Sequence, residues 1–133
     1  MEKTDLSAFF LVETGAVEID LPNGEPMVID GKRVTVHVYG PATKRYKKAR
    51  DELEKQAAMR AAMLYKFHGA KHKKEDIDAE ADARFLAAIT ERIDAINGDP
   101  FDVYADARVK YIPDQVRQYI DDQENFFKGS ATT

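Results

Sequence analysis

Two runs in which aliphatic residues occupy every second position constrain the first third of this chain. Val17, Ile19 and Leu21 alternate with Glu18 and Asp20, and Val34, Val36 and Val38 alternate with Thr35 and His37. Period two places each apolar set on one face of a strand and the polar set on the other. Between the runs lie Pro22-Asn23-Gly24 and Asp30-Gly31, residues that accept the positive φ of tight turns. The pattern predicts an antiparallel β-hairpin or small meander over Ala16 to Tyr39, with the short Pro26 to Ile29 run as an added strand and a break at Gly40-Pro41. A hairpin alone is marginal in water, so its apolar face needs a cover from the rest of the chain.

Helical spacing supplies that cover. Tyr46, Ala49, Leu53, Ala57, Ala61 and Leu64 recur at steps of three and four, predicting an amphipathic helix from about Ala42 to Phe67, closed at His68-Gly69-Ala70 with Gly69 as a left-handed cap. A second series, Ile77, Ala81, Phe85, Ile89, Ile93 and Ile96, predicts a helix ending at Asn97-Gly98. Asp99 followed by Pro100 is the cap and first position of a short helix, where proline loses no hydrogen bond. The last helix is expected to open around Pro113 and to carry Val116, Tyr119, Ile120 and Phe127.

The order of elements predicts an α+β fold: an N-terminal β-hairpin or small meander, then a mostly helical part. A length of 133 residues suits one domain. Its regions are 1–40 (β-hairpin), 41–128 (helical) and 129–133 (flexible tail), with Met1 to Ser7 loosely held. The expected core is Val17, Ile19, Val34, Val36, Val38, Leu53, Leu64, Phe85, Ile89, Ile93, Val116 and Ile120. Phe126 and Phe127 are adjacent, so only one can face inward; the other is left as a contact for a neighbour.

Charge is segregated along the chain. The net charge is −4, yet Lys44 to Lys74 is strongly basic and Glu75 to Asp106 strongly acidic. Opposite blocks attract within one copy or between copies, and a weak, salt-sensitive homo-oligomer is expected. The N-terminus lacks the basic start and small-residue cleavage site of a signal peptide, and no apolar run approaches the length needed to span a bilayer. A cytoplasmic protein without membrane contact is therefore expected.

Catalytic constellations are missing from the sequence. It contains no cysteine, which excludes a disulfide, a thiolate zinc site and a cysteine nucleophile. His68 and His72, followed by Asp76 and Asp78, have a loosely ligand-like spacing, but Gly69 separates the histidines and no HExxH pattern exists, so a solvated linker is the better reading. The serines, Ser7 and Ser130, sit near the ends, and no G-x-S-x-G elbow is present. Glycines are too scattered for a phosphate loop, and carboxylate pairs such as Asp78 and Asp82 have nothing to desolvate one of them. The expectation is a non-enzyme without metal or cofactor. Lys44, Arg45, Lys47, Lys48 and Arg50, with Tyr46 interleaved, form a basic cluster of the type that meets phosphates. The acidic balance elsewhere and the lack of a helix-turn-helix core favour an acidic protein partner over nucleic acid.

Several short stretches together resemble the tail assembly chaperones of long-tailed bacteriophages. They are Thr14-Gly15-Ala16, Val34 to Gly40 leading into Arg45-Tyr46, Phe101, Tyr104-Ala105-Asp106, Tyr111-Ile112, Gln115-Val116, Tyr119-Ile120-Asp121 and Asn125-Phe126-Phe127. The resemblance implies a non-enzymatic protein that coats the long helical tape measure protein, recruits tail tube subunits and is displaced as the tube grows. It would act in the host cell cytoplasm and be absent from the mature virion. Lys44, Arg45, Lys47, Lys48, Tyr119, Phe126 and Phe127 are the candidate partner-binding residues. The alternative is a small regulatory or counter-defence binding protein that touches nucleic acid through Lys44 to Arg50.

Overall fold

The computed structural model describes residues 6, 10–66 and 74–127, and shows an α+β fold. Strand β1 (Thr14–Glu18) is followed by β2 (Val28–Ile29), β3 (Lys32–Arg33) and β4 (Thr35–Tyr39). Then come helices α1 (Lys44–Lys66) and α2 (Lys74–Ala88), strand β5 (Thr90–Asp94), and helices α3 (Pro100–Ala105) and α4 (Tyr111–Asp121). One sheet has the order β1-β4-β5, antiparallel throughout, and β2 with β3 forms a small separate ribbon.

The two alternating runs pair as expected, with Val17 opposite Val36 and Ala16 opposite His37. Ile19 continues the pairing beyond β1, its N–H donating to the Val34 carbonyl at 3.0 Å. The expected strand within Pro26 to Ile29 is β2, which turns into β3 through Asp30 and Gly31, at φ 51° and 79°. Positive φ at both central residues is the backbone of a two-residue hairpin whose twist matches that of its strands.

The second helix departs from expectation. It ends at Ala88, and Thr90–Asp94 leaves it as β5, pairing with β4 through Val36 opposite Ile93 and His37 opposite Arg92. A spacing of four puts Ile89 and Ile93 on one face of a helix, but four is also an even number and puts them on one face of a strand. β-Branched Ile89, Thr90 and Ile93 tip that balance toward the sheet. The β-region and the helical region are thus not consecutive, because the third strand of the sheet comes from the expected helical region.

The short helix forms as expected: Asp99 caps α3 by accepting from the Phe101 N–H at 2.9 Å, with Pro100 at its start. Helix α4 opens at Tyr111, so Pro113 sits in its first turn, where no donor is needed. It ends at Asp121, and Phe127 lies beyond it, after a 3₁₀ turn over Gln123–Phe126.

One apolar cluster joins the sheet to the helices. Val17, Ile19, Val34, Val36, Val38, Ile89, Val116 and Ile120 are buried in it as expected. Leu53, Phe85 and Ile93 are half-buried, while the Leu64 side chain, the Gly69 cap and residues 1–5 and 129–133 lie outside what is described. Leu86, Ile112, Tyr104 and Phe126 join the core, with the small residues Ala49, Ala81 and Ala83 also buried. Tyr104 is held by a short relay: the Thr90 hydroxyl donates to the Leu86 carbonyl at 2.7 Å, so its oxygen accepts from the Tyr104 hydroxyl, also at 2.7 Å. Burial pushes the Tyr104 phenol up to about 12.

Candidate functional site

The residues singled out in the sequence fall into two groups that the fold treats differently. Lys44, Arg45, Lys47 and Lys48 occupy the first turns of α1 and are all exposed. Thr43 starts the helix: its hydroxyl donates to the Gly40 carbonyl at 2.8 Å and accepts from the Tyr46 N–H at 3.2 Å. The first turn has no acid to offset these cations at the positive end of the helix dipole. The Arg45 guanidinium lies over the Tyr39 ring, 4.9 Å from its centroid. Arg45 and Lys48, with Ala49, Glu52 and Ala88, line an open groove of about 560 Å³.

Tyr119, Phe126 and Phe127 belong instead to a clasp that ties the end of the described chain to β1. Phe126 is 0% exposed, so of the adjacent pair it is the inward one, and its candidate role as a surface contact does not hold. Its ring packs edge-on to Tyr119 at 5.3 Å and fills a socket made by two glycines. A Cβ on Gly15 would stand 2.6 Å from the Tyr119 hydroxyl, and one on Gly40 would stand 2.8 Å from the Phe126 ring. The Val12 N–H donates to the Phe126 carbonyl at 2.6 Å, and Leu11 bridges to Phe127, which is half-buried. The Asn125 amide donates to the Tyr119 carbonyl at 2.8 Å. Burial raises the Tyr119 phenol, opposed by the backbone at Ala16.

Gln115, one helical turn before Tyr119, completes the clasp. Its side-chain oxygen accepts from the Asp20 N–H at 2.8 Å and its NH₂ donates to the Asp20 carbonyl at 2.7 Å, as a neighbouring strand would. Gly15, Gly40, Gln115, Tyr119, Asn125 and Phe126, which carried the family resemblance as separate scraps, thus meet in space as one structural lock. Sequence spacing gives no sign of it, since Asp20 and Gln115 are 95 residues apart.

Among the described residues, several members of the acidic block pair with arginines. Glu80 pairs with Arg84, Asp82 with Arg117, Glu91 with Arg92, and Asp106 with Arg108. The Arg108 guanidinium and backbone hold the Asp106 carboxyl down to about 2. Across the sheet, His37 Nε2 donates to the Asp94 carboxylate at 2.7 Å, which lowers the Asp94 carboxyl. Among the described residues there is no cluster of three or more metal-ligating side chains, and no helix is long and apolar enough to cross a membrane. His68, His72, Ser7 and Ser130, and the side chains of Asp76 and Asp78, lie outside the described residues.

A further surface was not anticipated. Helix α1 runs antiparallel to α2, and Tyr46, Ala49 and Leu53 face it as expected, with the Tyr46 and Phe85 rings edge-to-face at 5.7 Å. Beyond Gln56 this changes: Ala57 and Ala61, expected to be inward, are exposed, and Met59 and Met63 are each 58% exposed. The two methionines are four apart, next to exposed Ala58 and Ala62, so they form one soft apolar face. The signal was present in the sequence as a methionine pair lying off the main apolar stripe. In comparisons with models of protein families, with curated proteins and with solved structures, the chain has no match.

Proposed function

We propose that the chain is a non-enzymatic assembly chaperone of a long-tailed phage, which holds the tape measure protein and helps recruit tail tube subunits. On this reading it works in the host cytoplasm and is absent from the mature virion. The reading rests on the sequence resemblance, and the observation that carries it furthest is the uncovered Met59 and Met63 face on the distal half of α1. A tape measure protein not yet enclosed in its tube presents apolar helical stripes that aggregate. Methionine is unbranched and polarizable, and it adapts to many apolar surfaces without demanding one shape. An amphipathic client helix laid against such a face is a common recognition mode.

The test is co-expression with a candidate tape measure protein. The wild-type chain is expected to keep the client soluble, and Met59→Ser with Met63→Ser to lose that effect while remaining folded. The reading fails if the client stays insoluble with the wild-type chain and pull-downs recover neither client nor tube protein.

One observation favours a second reading, a small regulatory or counter-defence protein that contacts nucleic acid: Arg45 and Lys48 flank an open groove beside Tyr39. A mobility shift that weakens steeply with salt, and weakens further on Lys44→Ala with Lys48→Ala, would select it.

A further inference from the structure

The two edges of the sheet are finished differently. The outer edge of β1 is bracketed by the C-terminal elements: the Phe126 carbonyl bonds Val12 just before the strand, Gln115 bonds the Asp20 backbone just after it, and Tyr119 meets the backbone at Ala16 between them. The outer edge of β5 has no such cover among the described residues.

The register fixes which groups are left open. The Tyr39 N–H donates to the Ile89 carbonyl, whereas the Gly40 N–H donates to the Glu13 carbonyl on the other side. Backbone direction alternates along a strand, so Thr35, His37 and Tyr39 turn toward β5, and Val36 and Val38 toward β1. Asp94 and Arg92, opposite Thr35 and His37, therefore bond inward to β4. The N–H and C=O of Ile93 point out of the sheet.

We propose that this edge joins two copies of the chain: their β5 strands pair antiparallel about a two-fold axis through Ile93, making one six-stranded sheet. A two-fold pairing must be self-complementary, and this sequence is. With Ile93 opposite Ile93 of the second copy, the outward N–H and C=O groups satisfy each other. Arg92 then stands opposite Asp94 of the second copy, twice over. The side-chain faces agree as well. Ile93 lies on the core side with Val36, and Arg92 and Asp94 lie on the solvent side with His37 and Thr35. Pairing about Arg92 instead would put two arginines face to face and leave Ile93 opposite Glu91. Arg92 and Asp94 already approach each other within one copy at 3.3 Å, so the dimer extends an existing charge network. The contact is short, because Ala95 at φ 74° turns the chain away after Asp94, and the association is accordingly weak.

Sedimentation of the full chain from micromolar to millimolar concentration tests this, together with amide exchange followed by NMR. The expected result is a monomer–dimer equilibrium in which the Ile93 amide becomes slower to exchange as concentration rises. Arg92→Asp alone and Asp94→Arg alone each put like charges across the axis and are expected to weaken association by about tenfold. The double exchange, Arg92→Asp with Asp94→Arg, restores opposite charges and is expected to restore the dimer. Circular dichroism checks that each variant is folded. A strict monomer at millimolar concentration overturns the proposal. So does a dimer that ignores these reversals or leaves the Ile93 amide unprotected, or one abolished by Lys47→Glu with Lys48→Glu instead.

Discussion

The first and second halves of α1 are one continuous helix, the first dense in charge and the second rich in alanine and methionine, with opposite fates. At 23 residues it is about 34 Å long, longer than the 15-residue α2 it packs against. Its first three turns place Tyr46, Ala49 and Leu53 against α2, next to a core closed by Phe126. Its later turns hold Ala57, Ala58, Met59, Ala61, Ala62 and Met63 in solvent. Alanine and methionine are both good helix formers, so the helix continues where packing has stopped. Propensity maintains the second half and tertiary burial maintains the first. Substitutions should therefore be severe in the body and quiet on the distal half.

The largest effect is expected at Phe126. Its ring is completely buried against Tyr119, between Gly15 and Gly40. Phe126→Ala empties that socket and should cost about 3–5 kcal/mol, read from urea melts. The glycines cannot be enlarged to fill the space while the ring is there. A small loss, below ~1 kcal/mol, would show that the clasp does not close the core.

Next comes Gln115→Ala, which removes the two bonds made to the Asp20 backbone and leaves that N–H and C=O at a partly buried edge. A cost of about 1–3 kcal/mol is expected. Gln115→Glu should recover only part of it, because a carboxylate accepts from the Asp20 N–H but cannot donate to its carbonyl. Full recovery would mean that only one of the two bonds matters.

These residues also mark how far the sequence could be read. The valine runs, their pairing and the α3 cap were legible because period two and a cap residue before proline each have one structural meaning. The Ile89 to Ile96 series was not, since a step of four satisfies helix and strand alike; only competition for the open side of β4 decides. Phe126 and Phe127 were indistinguishable as neighbours, and the inward one is set by two glycines far away in the chain. The Gln115 clasp was illegible for the same reason. On α1 the expected stripe was correct in phase but too long, because periodicity shows which face is apolar and says nothing of where the covering element ends.

Tyr104 gives a smaller effect with a distinctive pH signature. Burial raises its phenol to about 12 from an ordinary 10, so the folded state favours the neutral form. The sign follows from linkage: this contribution is fully present below pH 10 and is lost as pH rises toward 12. Tyr104→Phe should cost about 1 kcal/mol at neutral pH, through the lost bond to Thr90, and should flatten the alkaline loss of stability. Urea melts on both sides of this window, with absorbance at the tyrosinate band, check both. An unchanged alkaline slope in the variant would place the titrating group elsewhere, with Tyr119 the next to examine.

The smallest effect on stability should come from the distal half of α1, and it sharpens the contrast most. Met59 and Met63 are each 58% exposed, so replacing both with serine removes little buried area. Serine is a somewhat weaker helix former, and the net change is expected to stay within about 0.5 kcal/mol per site. The same pair of substitutions should abolish solubilisation of a helical client, because the adaptable apolar face is gone. Lysine at both positions would test shape against polarity, since its long stem keeps apolar area while its head adds charge. If serine lowers stability as much as a core substitution does, the distal face is covered in solution and cannot be the client surface. If stability and client binding are both unchanged, the face is merely tolerated and the proposed client surface moves elsewhere, with the basic start of α1 the next to test. Retained stability with lost client binding is the outcome that separates the half of α1 serving the fold from the half serving the partner.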